Sequence, residues 1–283
     1  RMLKEMGPIA APHLEKALRV TESAEVQFRL QEILKAIRQG AESDSSRLLK
    51  VVHRFPALSG PIRSVQYSPD EKLLLVAGYD ESIRLFDADS FAETKRLAVK
   101  GDVSHAMFTH DGRDVIAAID EEIHIWDVAT GERRATKATH TGEMYYLDLS
   151  PDERWLACSG VPANVTIWDM EQNKRAHQLE GFGASVGHVA FSQDGRTLAC
   201  ASEDGTVTLW DVPSFKRRRT LRGHAGEAWF VSFSKDGRYV ISGGDNGDVI
   251  IWDALSGRVL TRHMEETAYG RNGQFSPDGR YVV

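Results

Sequence analysis

One phrase recurs along this chain and limits what it can fold into. A Ser/Thr-x-Asp turn appears as "SPDE" at Ser68, "THDG" at Thr109, "SPDE" at Ser150, "SQDG" at Ser192, "SKDG" at Ser234 and "SPDG" at Ser276. Its aspartates, Asp70, Asp111, Asp152, Asp194, Asp236 and Asp278, are spaced by 41, 41, 42, 42 and 42 residues. A second phrase keeps the same beat: "LFD" ends at Asp87, and "IWD" or "LWD" ends at Asp127, Asp169, Asp211 and Asp253. Two markers in fixed phase define a repeat, and a period of this size belongs to stacked or radial arrays.

The period from 186 to 222 reads as four short strands. "VGHVAFS" runs into Gln-Asp-Gly, "TLACAS" into Glu-Asp-Gly, and "TVTLWDV" and "KRRRTLR" complete the unit. Short strands broken by regular turn signals indicate an all-β closed or radial architecture. The third strand puts Val207 and Leu209 on one face and Trp210 on the other. A strand apolar on both faces must be covered on both, which radially stacked sheets achieve.

Residues 50–283 resemble the WD-repeat family of β-propellers in period, Ser-Pro-Asp-Gly turn and Trp-Asp ending. The resemblance implies four-stranded blades around a central channel, with the first strand closing the ring as the outer strand of the last blade. "KVVHRF", residues 50–55, suits that role. Five blades are complete, and "SPDGRYVV" opens a sixth that stops within its second strand. The expectation is a fragment of an open ring with unpaired edges at both ends.

The family's hydrogen-bond tetrad joins a His before the first strand, a Ser or Thr on the second, an Asp in the next turn and the Trp. By this reading no repeat keeps all four. Blade four has Ser202, Asp204 and Trp210, but Phe182 stands for the His. Blade five has His224 and Trp252, but Asn246 stands for the Asp. Blade three has His140 and Trp168 with Pro162 at the Asp position, and blade one has Phe86 in place of the Trp. Glu71 and Glu153 replace the turn Gly, at about 1 kcal/mol each if that position is left-handed. Blades of this kind depend on stacking against their neighbours.

Residues 1–40 follow a helical period, with Val26, Leu30, Ile33, Leu34 and Ile37 on one face, Ser23 as N-cap and Gly40 as stop. With the Gly-Pro break before it, the segment is similar to a partial HEAT-like helical pair of the sort attached to WD-repeat arrays in large bacterial proteins. Residues 41–49 read as a polar linker.

No Gly-rich phosphate loop, His-Glu-x-x-His or Cys-x-x-Cys occurs. The aspartates recur once per blade, whereas a catalytic Asp is needed once. Two cysteines, Cys158 and Cys200, make neither a disulfide framework nor a zinc site, and both are expected to be buried and reduced. His105 and His188 fall on innermost strands, with Tyr146 and Phe230 at the same position in other blades, and are expected to line the channel without metal. Net charge of −6 argues against nucleic acid as the main partner. The longest apolar run, "LLLVAG", is strand length, so no membrane span is expected. "KRRRTLR" falls on an outermost strand, where charge protects an edge. Neither enzyme activity nor a cofactor is expected.

The resemblance locates partner binding on the top face, just before the tetrad Asp and near the start of each first strand. These positions are Tyr79, Glu203 and Asp245, with Ile119, for the first kind, and Arg63, Tyr145, Trp229 and Arg271 for the second, with Glu143 and Glu227 beside them. Tyr, Trp and Arg dominate interface energetics. The expected function is a non-catalytic scaffold binding a protein or peptide there, in the cytoplasm. The alternative is the regulatory or sensor portion of a larger bacterial signalling enzyme.

Overall fold

A computed structural model describes residues 60–138, 142–264, 273, 275 and 276. The helical expectation for residues 1–40, the linker, the strand at 50–55, His140 and Arg271 lie outside the described residues, as does most of the sixth repeat. The described repeats form five antiparallel four-stranded sheets, each in chain order. The first is β1 (Ile62–Tyr67), β2 (Leu73–Gly78), β3 (Ser82–Asp87) and β4 (Glu93–Ala98). The second is β5 (Val103–Phe108), β6 (Asp114–Ile119), β7 (Glu122–Asp127) and β8 (Arg133–Ala138). The third is β9 (Met144–Leu149), β10 (Trp155–Gly160), β11 (Asn164–Asp169) and β12 (Lys174–Leu179). The fourth is β13 (Val186–Phe191), β14 (Thr197–Ser202), β15 (Thr206–Asp211) and β16 (Lys216–Arg222). The fifth is β17 (Ala228–Phe233), β18 (Tyr239–Gly244), β19 (Asp248–Asp253) and β20 (Val259–Met264).

The turns explain the recurring phrase. In every blade the Ser or Thr hydroxyl donates to the Asp two residues on, from Ser68 to Asp70 at 2.7 Å through Ser234 to Asp236 at 2.7 Å. The residue after that Asp is left-handed throughout: Glu71, Gly112, Glu153, Gly195 and Gly237 have φ of 60, 71, 58, 67 and 68°. Glycine accepts this freely and glutamate does not. Glu153 gains something in return, since its carboxylate accepts the His110 and Asp111 amides of the preceding blade at 2.6 and 3.2 Å.

The core lies between sheets. Each apolar cluster joins two consecutive blades, as Leu75, Leu85 and Ile83 of the first meet Val103, Phe108 and Trp126 of the second. Side chains on the outer strands add ties to the next blade. Lys95 Nζ donates to the Val128 and Ala129 carbonyls at 2.7 and 2.6 Å, Lys137 to Asn173 Oδ1 at 2.6 Å, and Arg219 to Leu255 O at 2.8 Å. The basic β16 is therefore more than a charged edge. Arg217 lies over Trp210, 5.3 Å from the ring centre, and reaches the Gly181 carbonyl at 3.2 Å.

The tetrad expectation needs correction in two blades. Blade five is complete: His224 Nδ1 bonds Asp248 Oδ1 at 2.5 Å, His224 Nε2 bonds Ser242 Oγ at 2.7 Å, and Trp252 Nε1 donates to Ser242 Oγ at 2.8 Å. The acid comes from the first residue of β19, two positions beyond Asn246, whose side chain instead accepts the Asp248 amide at 3.2 Å. In blade four Ser202 does not serve the tryptophan: its hydroxyl donates to Ala184 O, and Trp210 Nε1 donates to Thr208 Oγ1 at 2.9 Å. The position equivalent to Ser242, ten residues before the tryptophan, holds Cys158 and Cys200, both buried and unbridged. Blade one substitutes a buried ion pair, with Arg84 donating to Asp80 at 2.8 Å and to Ser82 at 3.1 Å.

Candidate functional site at the channel mouth

The site is built from two consecutive positions on the five inner strands. Antiparallel pairing puts the start of each inner strand beside the end of the second, as Ile62 opposite Gly78 and Ala228 opposite Gly244. One end of the assembly therefore gathers the linkers between blades and the turns between second and third strands. At this end Arg63, Ser104, Tyr145, Gly187 and Trp229, one from each inner strand, ring a cavity of ≈ 320 Å³. Three larger side chains separated by two small ones leave notches at Ser104 and Gly187.

The floor comes from the next position inward. Tyr146 lies between His105 and His188, with ring centres 3.8 and 3.7 Å apart. Burial lowers both histidines to about 3, so neither carries a charge at neutral pH. His105 Nδ1 accepts the Leu147 amide at 3.4 Å, while for the buried His188 Nδ1 no acceptor or donor lies in hydrogen-bonding geometry among the described residues. Phe230 shares this position in the repeat but does not line the channel as expected. It is buried in its own sheet, lying where a side chain on Gly243 would stand, with Cε1 2.0 Å from the site of a Cβ.

Tyr146 and His188 also bound a second cavity of ≈ 230 Å³, deeper in the channel, which Asp148, Lys235 and Gly273 help to line. Asp148 Oδ2 accepts the Phe191 amide of the next blade at 2.6 Å. The same device recurs where Ser64 Oγ accepts the Ala106 amide and Gln66 Oε1 the Phe108 amide, each at 2.9 Å. Inner strands have no backbone partner on the channel side, so acceptors from the preceding blade meet their free N–H groups. Burial pushes the Asp148 carboxyl up to about 7.

The expected partner-binding residues divide into those at the funnel and those on its rim. Arg63, Tyr145 and Trp229 meet on the cavity wall. Tyr79 receives the Arg63 guanidinium, 5.4 Å from its ring centre. Burial raises the Tyr145 phenol, and the carboxylates of Glu143 and Glu203 raise it further, which joins these acids to the same neighbourhood. Asp245 and Glu227 belong to one loop contact, in which Asp245 Oδ1 accepts the Glu227 amide at 3.1 Å. Asp245 thus has a structural task that the repeat pattern did not disclose. The floor histidines were visible in the sequence as channel residues, but their close stacking on Tyr146 depends on the angle between blades. Among the described residues no cluster of three or more His, Cys, Asp or Glu side chains is placed to hold a metal.

This arrangement defines a repeat protein whose inner strands share one mouth and whose blades pack through paired apolar faces. The model of the WD domain, G-beta repeat, matches residues 49–87, 131–169, 173–211 and 215–253, and the chain belongs to that family. It is similar to a WD repeat-containing protein 26 homolog of Arabidopsis thaliana, 27% identical over 111 residues, which are 38% of this chain and 19% of the relative. It is also similar to autophagy-related protein 16 of Arabidopsis thaliana, 29% identical over 100 residues, 35% of this chain and 20% of that relative. The matched stretches span about a fifth of the length of these curated relatives.

Proposed function

We propose that this chain is a non-catalytic scaffold that binds a protein or peptide across the face containing the funnel. The observation that carries this reading is the meeting of Arg63, Tyr145 and Trp229, from three different blades, on the wall of one cavity. Aromatic and arginine side chains around a concave centre are the residues from which binding hot spots are made. WD-repeat proteins generally mediate protein–protein interactions, which agrees with such a role. The buried thiols of Cys158 and Cys200 suit a reducing, cytoplasmic compartment.

The test is affinity capture with the wild-type chain, with Tyr145→Ala plus Trp229→Ala, and with Leu255→Ala at the opposite end as control. Circular dichroism verifies folding of each. A partner retained by the control and lost by the double variant is the expected result. Equal recovery by all three removes the funnel face from the function.

A further inference from the structure

Resting on that reading of the face, we infer that the segment it binds is basic: a lysine- or arginine-bearing stretch of a partner protein laid across the funnel. The charge of the chain is not evenly spread. At the funnel end the loops carry Glu81, Glu121, Glu143, Glu203, Glu227 and Asp245, and among the described residues the same loops hold one basic side chain, Lys100. At the other end each Ser/Thr-x-Asp turn pairs its acid with a base two residues on, as Asp111 with Arg113 and Asp236 with Arg238. The turns between third and fourth strands at that end add the acids Asp89, Glu132 and Glu171 against Arg258, so the described loops of both ends are acidic, those of the funnel end the more strongly. An excess of one sign around a cleft draws and orients partners of the other.

The cavity itself points the same way. Its walls include Tyr145 and Trp229, rings of the kind that attract ammonium and guanidinium groups. Its floor adds no opposing charge, because the stack of His105, Tyr146 and His188 is neutral at physiological pH. Among the described residues that line the cavity the one cation is Arg63, which leans on Tyr79. It opposes a basic ligand, and this gives the inference a signature that general damage to the site would not produce.

The test uses the full chain and three fluorescein-labelled peptides of one design, with lysine, glutamine or glutamate at the variable positions, read by anisotropy. The lysine peptide should bind best and weaken as salt rises. Glu143→Gln with Glu203→Gln should weaken it about tenfold, and Tyr145→Ala with Trp229→Ala should weaken it further. Arg63→Gln should strengthen it, a gain that misfolding cannot mimic. Preference for the glutamate peptide, or equal binding of all three, with loss in the Tyr145/Trp229 variant overturns the basic-partner inference and leaves the scaffold reading standing. Lysine-peptide binding untouched by the Tyr145/Trp229 variant removes the funnel from both readings. Binding of none of the three overturns the inference.

Discussion

Ten residues before each third-strand aromatic, the five blades carry Val76, Ile116, Cys158, Cys200 and Ser242. Only Ser242 brings a hydroxyl, and only there does the tryptophan join a closed His–Ser–Asp network. In blade three Trp168 Nε1 is buried without a hydrogen-bond partner among the described residues. Cys158→Ser should offer it an acceptor and raise stability by about 1 kcal/mol, measurable as a higher midpoint in urea. A lower midpoint would show that the serine hydroxyl cannot reach the indole. Asp148 makes a second prediction. Its carboxyl stays protonated to about 7 in the folded chain, against 3.8 for the free group. Between those values the folded state holds more protons than the unfolded one, so this group's contribution falls as pH rises through about 4 to 7. The neutral His105 and His188 act in the opposite sense, losing their contribution as pH falls from 6.5 toward 3. Asp148→Asn should therefore raise the melting temperature above pH 7 while leaving the acid limb in place. An unchanged melting temperature at high pH would mean that the ionised carboxylate is accommodated without cost.

At the scale of elements, equivalent strands differ through what lies beside them. Ile62, Val65 and Tyr67 on β1 are 54, 61 and 54% exposed, while Val186, Val189 and Phe191 at the same positions of β13 are 0, 0 and 9% exposed. Among the described strands no sheet covers that flank of β1. Val189→Ala should cost about 2 kcal/mol, because it removes buried methyls and leaves a cavity. Val65→Ala should cost less than about 0.5 kcal/mol. Chemical denaturation of the two variants tests this, and equal losses would show that β1 is covered in solution. Outer strands follow another logic. β20 is exposed throughout, and β16 spends one arginine on the Gly181 carbonyl of the linker before its own blade and another on the Leu255 carbonyl of the next blade.

For the assembly of five sheets, stability is a sum of blades and the contacts between them. Blades two, three and four are each covered by a neighbour on both faces, and their inner strands are tied by side chains that accept neighbouring amides. Amide exchange should therefore be slowest in β6, β10 and β14 and fastest in β1 and β20. Uniform protection across the five blades would indicate one cooperative unit instead. The repeat, its four strands and the phase of the funnel residues were all readable, because turn chemistry and strand alternation repeat with the chain. Arg63, Tyr145 and Trp229 could be aligned by counting. The acid of the fifth tetrad could not. Asn246 occupies the expected turn position, while Asp248 reaches the same histidine from the start of β19.

The sequence by itself determined the period, the turns, the sheet-forming pattern and the acidic bias of one set of loops. Those properties are local, set by neighbours within a few residues of each other. Tertiary structure alone decided which side chains meet across blades: His105 and His188 on Tyr146, Asp148 on the Phe191 amide, Lys95 on the 128–129 carbonyls, and Phe230 turned away from the channel onto Gly243. Such contacts join residues about one repeat apart or opposite one another within a sheet. Their distances follow from blade spacing and side-chain rotamer, which no count along the chain contains.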